Sequence, residues 1–287
     1  MAADNTHPEP PPILAGKRYA EPSVFEPENL LREARRQKAL PPGEIPEICV
    51  LDPDGDILRS LIRAGRASRS PVWACYHTDL YQFEQGGVAF GIIGCAVGAS
   101  FAVLLAEELF ASGCRFLISV TSAGQIATPV EHKGGPPPYF VVIDRALRDE
   151  GTSYHYAAQA AFAEADPKLV EAAVRALSVA DLRAHVGASW TTDAPFRETQ
   201  AAVASARELG VLAVEMEAAA LYTFARTRNR PVLCLAHVTN TMAVDGDDFE
   251  KGVDNGVDDA LAVARAVATA LRPAPQRHPR TDRAVLP

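Results

Sequence analysis

The stretch VLAVEMEAAALYTFARTR, Val211–Arg228, followed after three residues by VLCLAHVTN, Val232–Asn240, decides how this chain is read. A β-branched run, Val211–Met216, reads as a strand. From Glu217 to Arg228 the pattern turns helical, with Ala218, Leu221, Tyr222 and Ala225 on one apolar face. A second run, Val232–Val238, then reads as another buried strand. Strand, helix and strand in this order describe parallel strands joined by a crossover helix.

The same alternation extends outward. Glu47–Leu51, Val72–Tyr76, Val88–Ile93, Arg115–Val120, Tyr139–Ile143 and His185–Trp190 are expected as strands. Ile57–Ala64, Ser100–Ala111, Pro167–Leu177, Phe196–Leu209 and Asp248–Leu271 are expected as helices. Asp166-Pro167 is an N-cap followed by proline at the first helical position, and Gly113 and Gly210 stand where a helix stops. The fold class that follows is α/β, a three-layer sandwich whose mixed, largely parallel sheet is covered by helices on both faces.

With 287 residues, 48% of them hydrophobic, the chain can bury one large core. Its net charge of -8 argues against nucleic-acid or membrane-surface partners, which favour a basic face. Cys49, Cys75, Cys95, Cys114 and Cys234 include no C-x-x-C pair, so no metal or redox couple is suggested, and reduced thiols fit a cytoplasmic chain. Met1–Pro12 lacks the charged and apolar regions of a signal peptide. Val88–Ala106 is uncharged but holds Gly91, Gly94 and Gly98 and runs into Glu107 and Glu108, so it reads as strand, glycine turn and helix rather than a membrane span. Residues 1–45 read as an extension carrying one helix, Glu28–Ala39, whose basic face suits the acidic body, a neighbouring subunit or solvent. Residues 46–271 are expected as the main α/β domain, and 272–287, rich in Pro and Arg, as a disordered tail.

Several strands end in polar residues just before a turn: Asp52-Pro53-Asp54-Gly55, Gly98-Ala99-Ser100, Thr121-Ser122-Ala123-Gly124, Thr191-Thr192-Asp193, Glu215-Met216-Glu217 and His237-Val238-Thr239-Asn240. Carboxyl ends of parallel strands share one edge, where ligands of open α/β sheets bind. Any single one of these residues also suits a capping role. Glu215 and Glu217, two apart, face the same side of an extended backbone, and a carboxylate there can accept hydrogen bonds from a vicinal diol.

The block Val214–Tyr222 with Val232–Asn240 resembles the signature of the nucleoside phosphorylase superfamily, most closely its uridine phosphorylase branch. Ser100–Ile126, Arg148–Ser153 and Thr191–Asp193 resemble other blocks of that family in the expected order, over roughly residues 46–271. The resemblance implies the nucleoside phosphorylase fold and cleavage of a nucleoside's N-glycosidic bond. Glu217 would bind the ribose hydroxyls, with Glu215 beside it, Met216 beneath the sugar and His155 at the 5′ end. Thr239 and Asn240 would face the base, with Asp193, Phe196 and Arg197 reading its edge. Relatives that cleave purines carry an Asp where Asn240 stands, which points away from a purine specialist. On the acceptor side, for phosphate or water, the candidates are Asp52, Asp54, Gly98, Ser100, Thr121 and Ser122, of which the resemblance carries over Ser122.

That side departs from the family pattern. The loop Leu51-Asp52-Pro53-Asp54-Gly55 lacks the family's glycine and arginine, the turn Ser119–Gly124 shows no arginine, Thr78 stands where a neighbouring subunit's arginine would, and only Ser122 matches a phosphate ligand. Arg59, Arg63 and His77 are the nearest cationic substitutes in sequence. Phosphorolysis, with inorganic phosphate as co-substrate and no other cofactor, is the first reading. Its alternatives are a nucleosidase, in which Asp52 or Asp54 activates water, and a nucleoside-binding protein without turnover. Relatives assemble as dimers or hexamers, so a homo-oligomer is expected from the resemblance.

Overall fold

The computed structural model describes residues 10–129, 137–242 and 250–271. The expected tail at 272–287, the first nine residues and the first two residues of the helix expected at Asp248–Leu271 lie outside them. Among the described residues, ten strands and eight α-helices follow one another as α1 (Pro27–Gln37), β1 (Ile48–Asp52), α2 (Asp56–Arg63), β2 (Ala67–Arg69), β3 (Tyr81–Gln85), β4 (Val88–Gly94), α3 (Ala99–Ala111), β5 (Phe116–Gln125), β6 (Tyr139–Asp149), α4 (Ser153–Tyr156), β7 (Phe162–Glu164), α5 (Pro167–Val179), β8 (Ala184–Thr192), α6 (Gln200–Glu208), β9 (Val211–Glu215), α7 (Ala218–Arg228), β10 (Val232–Asn240) and α8 (Val257–Leu271). Among the described residues, no helix is long and apolar enough to cross a membrane. Val88–Ala106 is indeed strand β4, a glycine turn and the start of α3.

All strands join one sheet in the order β10-β6-β8-β9-β5-β1-β4-β3-β2, with β7 on β6. β10 also pairs with β5, so β5, β10, β6, β8 and β9 close on themselves while β1 to β4 continue from β5 as an open wing. Parallel ladders build the centre (β4–β1–β5–β10 and β6–β8–β9), and antiparallel ones join β10 to β6, β5 to β9 and the hairpin strands at the edge. Every residue of β1 and β10 is buried, as expected of strands covered on both faces.

The two faces hold separate apolar layers. One packs α3 and α7 residues such as Leu105, Leu109, Leu221 and Phe224 on Leu51, Leu117 and Ala236. The other packs Ile57, Leu61, Leu177, Leu261 and Val267 of α2, α5 and α8 on Val50, Ile118 and Leu235. Each such side chain, fully buried, contributes about 1.5–3 kcal/mol. The end signals act as expected: the Asp166 side chain accepts from the Lys168 N–H, and Gly113 and Gly210 adopt φ of 111° and 76°.

Three expectations need correction. The helix expected at Asp248–Leu271 begins only at Val257, because Gly252 has φ of 87° and Asp254 and Asn255 take left-handed backbone angles ahead of it. Val72–Tyr76 is irregular rather than a strand. Two of its carbonyls accept from side chains at the end of the N-terminal helix instead of from a ladder: Arg35 donates to Val72 O and Lys38 to Cys75 O. The same contacts seat α1 on the body, where Leu31 and Ala34 bury against Ala74. The helix expected from Phe196 begins only at Gln200, because Thr199 is its N-cap and accepts from the Ala202 N–H. Pro195–Arg197 forms a separate single turn before it.

Candidate active site

Two buried carboxylates stand at the junction of β9 and α7, and their environments differ. Glu215 has its acceptors filled. The Ser189 and Thr191 hydroxyls donate to Oε1, and the N–H groups of Glu217 and Ala218 donate to Oε2, each at 2.7 Å. A carboxylate offers about four acceptor positions, so Glu215 has none left for a ligand. It ties β8 to the first turn of α7. Glu215, expected beside Glu217 at the sugar, therefore spends its acceptors within the protein.

Glu217 receives one donor per oxygen, the Gly98 N–H at 2.7 Å on Oε1 and the Thr121 hydroxyl at 3.0 Å on Oε2. Each oxygen keeps a second lone pair. The Gly98 amide opens α3, so the positive end of a thirteen-residue helix faces this carboxylate. The side chain is buried, its neighbours Met216 and Gly98 are half-buried, and Val97 is exposed. Burial, with the Glu215 charge second, pushes Glu217 up to about 8 against the pull of its two donors. Burial raises Glu215 as well, but its four donors suit the anion.

One residue further along β5, Ser122 faces a different group. Its hydroxyl donates to Asp54 Oδ2, and Lys251 Nζ reaches the same oxygen at 3.1 Å. Lys251 also bonds Asp56 at 2.7 Å, and Asp56 in turn pairs with Arg59 at 2.7 Å. Arg59 donates to the Asp54 carbonyl as well, at 2.6 Å. Arg63 pairs with Asp254, and His77 is exposed. Lys251 is the residue that sequence reasoning missed: it stands 197 positions from Asp54, and no motif connects them. Asp52 accepts from the Gly55 and Leu58 N–H groups, which makes it the clasp of the β1–α2 turn. Burial pushes it up to about 7.

The remaining expected residues scatter. Gly98 and Thr121, assigned to the acceptor side, both serve Glu217 instead. Ser100 is exposed and lines a cavity of about 500 Å³ between α3 and the N-terminal segment, and so does His155, whose Nδ1 lies 2.9 Å from Lys17 Nζ. Asp193 is exposed and accepts from the Gly151 N–H at 2.8 Å, pinning the β8 end to the next loop. Phe196 is 98% exposed and Arg197 is also at the surface, so neither covers a base in this conformation. Thr239 and Asn240 are buried at the tip of β10; Asn240 donates to the Thr239 hydroxyl and accepts from the Met242 N–H. Asn240 Oδ1 lies over Gly124, where an added Cβ would meet it at 3.3 Å. Beyond this tip a cavity of about 690 Å³ is lined by Gln125, Thr128, Glu198, Arg207 and Met242.

Comparison with known proteins gives the family. Over 209 residues the chain is 26% identical to a uridine phosphorylase of Thermococcus kodakarensis, covering 64% of this chain and 73% of that protein. It is 30% identical over 156 residues to a DeoD-type purine nucleoside phosphorylase of Roseobacter denitrificans, covering 52% and 62%. Against a guanosine phosphorylase of Halorubrum lacusprofundi, identity is 28% over 177 residues, covering 59% and 71%. A crystal structure of uridine phosphorylase from Vibrio fischeri ES114 shares the fold, with a TM-score of 0.61 at 21% identity over 79% of this chain and 90% of that one. A family model described as the phosphorylase superfamily matches residues 47–272, more than three quarters of the chain, and the chain therefore belongs to that superfamily.

Proposed function

We propose that this protein is a nucleoside phosphorylase that transfers a pentosyl group from a nucleoside to inorganic phosphate. The observation that carries the reading is the contrast between the two glutamates. Glu215 is saturated, whereas Glu217 retains two acceptor positions at the carboxyl edge of the sheet, beside a helix N-terminus. Two hydroxyls of a ribose fit that capacity, each forming a charge-assisted bond. The relatives named as uridine, purine nucleoside and guanosine phosphorylases support the same reaction class.

In this reaction a phosphate oxygen bonds to C1′ as the C1′–N bond breaks, and the bonding pair leaves with the base. In its ionised form Glu217 holds the sugar while it passes through a cation-like state, and the carboxylate charge favours that state. Asn240 donates a hydrogen bond to the departing base without supplying a proton. A second reading, hydrolysis, is favoured by one observation: the Ser122 hydroxyl is bonded to a carboxylate, Asp54, suited to activating water. Incubating a nucleoside panel with and without phosphate, and assaying free base and pentose 1-phosphate, separates the two. Base release that requires phosphate and yields pentose 1-phosphate supports the first; equal release without phosphate selects the second.

A further inference from the structure

We propose that the Asp54 carboxylate is a built-in occupant of the acceptor-anion seat, and that phosphate binds by displacing it and taking over its two donors, Ser122 and Lys251. The inference rests on the phosphorolysis reading and deepens it by naming the cation and the competitor.

Two donors from distant parts of the chain, the Ser122 hydroxyl and the Lys251 ammonium, converge on a single oxygen, Asp54 Oδ2. A hydroxyl and an ammonium aimed at one point are what a phosphoryl oxygen also requires. Ser122 follows Thr121, the residue that holds Glu217, so the two hydroxyls sit at consecutive positions of β5, about 3.8 Å between Cα atoms, with their side chains on alternate faces of the strand.

The surroundings allow an exchange. Asp54's side chain is 34% exposed, so it can swing into water without uncovering a core. Its backbone stays fixed, because Arg59 holds its carbonyl. Lys251 does not depend on Asp54 for its position, since the less exposed Asp56 anchors it at 2.7 Å. With Asp54 swung away, Lys251 and Arg59 oppose the single charge of Asp56, leaving one net positive charge for the incoming dianion. With Asp54 in place the four charges cancel, and the seat is closed to adventitious anions. Asp54 therefore competes with phosphate rather than assisting it.

The test pairs two variants with two measurements. Initial rates are followed against phosphate at saturating nucleoside for wild type, Asp54→Asn and Lys251→Met, and each protein is titrated with inorganic phosphate by thermal shift without nucleoside. Removing the competing charge is expected to lower both the phosphate KM and the titration midpoint by roughly three- to tenfold. Removing the ammonium raises both by about tenfold or more. The nucleoside KM stays within about twofold of wild type in both. The proposal is overturned if Asp54→Asn abolishes base release with an unaltered phosphate midpoint, which would make Asp54 a general base, or if Lys251→Met leaves that midpoint unchanged. Should no variant release base in a phosphate-dependent way, the phosphorolysis reading fails on its own. The titration still decides the seat: midpoints in the order Asp54→Asn, wild type, Lys251→Met uphold it, and any other order overturns it.

Discussion

Replacing Glu217 by Gln isolates the charge of one carboxylate while leaving its shape. In the folded protein the amide oxygen can still accept the Gly98 N–H, 2.7 Å away, and the new NH2 can face the Thr121 oxygen at 3.0 Å. Packing is therefore preserved. What disappears is the ability to accept from two sugar hydroxyls as an anion. Hydrogen bonds to a charged group are worth about 1.5–3 kcal/mol each, so losing two lowers kcat/KM by roughly a hundredfold to ten-thousandfold. The wild-type carboxylate, pushed up to about 8 by burial, must lose its proton to bind the sugar in this way. At saturating phosphate, kcat/KM for the nucleoside should then rise about tenfold per pH unit below that value and level off above it. The Gln variant should lack this limb. Base release measured from pH 6 to 9, with thermal melts of both proteins, checks each part. Activity within threefold of wild type, or a melting point more than about ten degrees lower, would refute the assignment of Glu217 to the sugar.

Glu215→Gln should behave in the opposite way, because its amide sets a donor against buried donors; we expect a loss of about 3 kcal/mol, seen as a melting point roughly 6–12 °C lower. Wild-type stability should fall between pH 6.5 and 8. Asp52 and Glu217, at about 7 and 8, retain protons there that the unfolded chain has released, so stability is lost as pH rises through those values, by on the order of 2 kcal/mol. Below pH 6.5 the trend is opposed by His237, which burial holds at about 4 and keeps neutral when the unfolded histidine charges; chemical denaturation across pH 5 to 8 reads both limbs. The double change Arg35→Ala and Lys38→Ala should cost about 2–4 kcal/mol by stranding the carbonyls of Val72 and Cys75, measurable by the same method, with nucleoside KM unaltered.

The sequence conveyed the layers and most of the strands because those depend on local pattern. β1 and β10 are continuous apolar runs, and α5 is bracketed by its own cap. It did not reveal β2, β3 or β7, which are short or, like Tyr81–Gln85, carry Gln and Glu in place of an apolar run. It misled at Val72–Tyr76, where composition alone cannot show that α1 supplies the hydrogen bonds a neighbouring strand would have given. At the site, strand ends placed Glu217, Thr121, Ser122 and Asp54 on one edge, and the structure joins them as two pairs. Which glutamate is saturated depends on Ser189 and Thr191 from β8, and which cation meets Asp54 depends on a residue far along the chain. Both are products of tertiary packing rather than of spacing.

Thr121 and Ser122 are consecutive, and this has a consequence for how such an enzyme can change. Strand β5 acts as a fixed ruler: its registers with β1 and β10 set where both hydroxyls sit, and a slip of one place would exchange them between faces. Inserting or deleting a residue within the ruler would therefore disable both halves together. Variation in what the protein accepts must come from the loops that reach toward it, after β1, after β4 and ahead of α8.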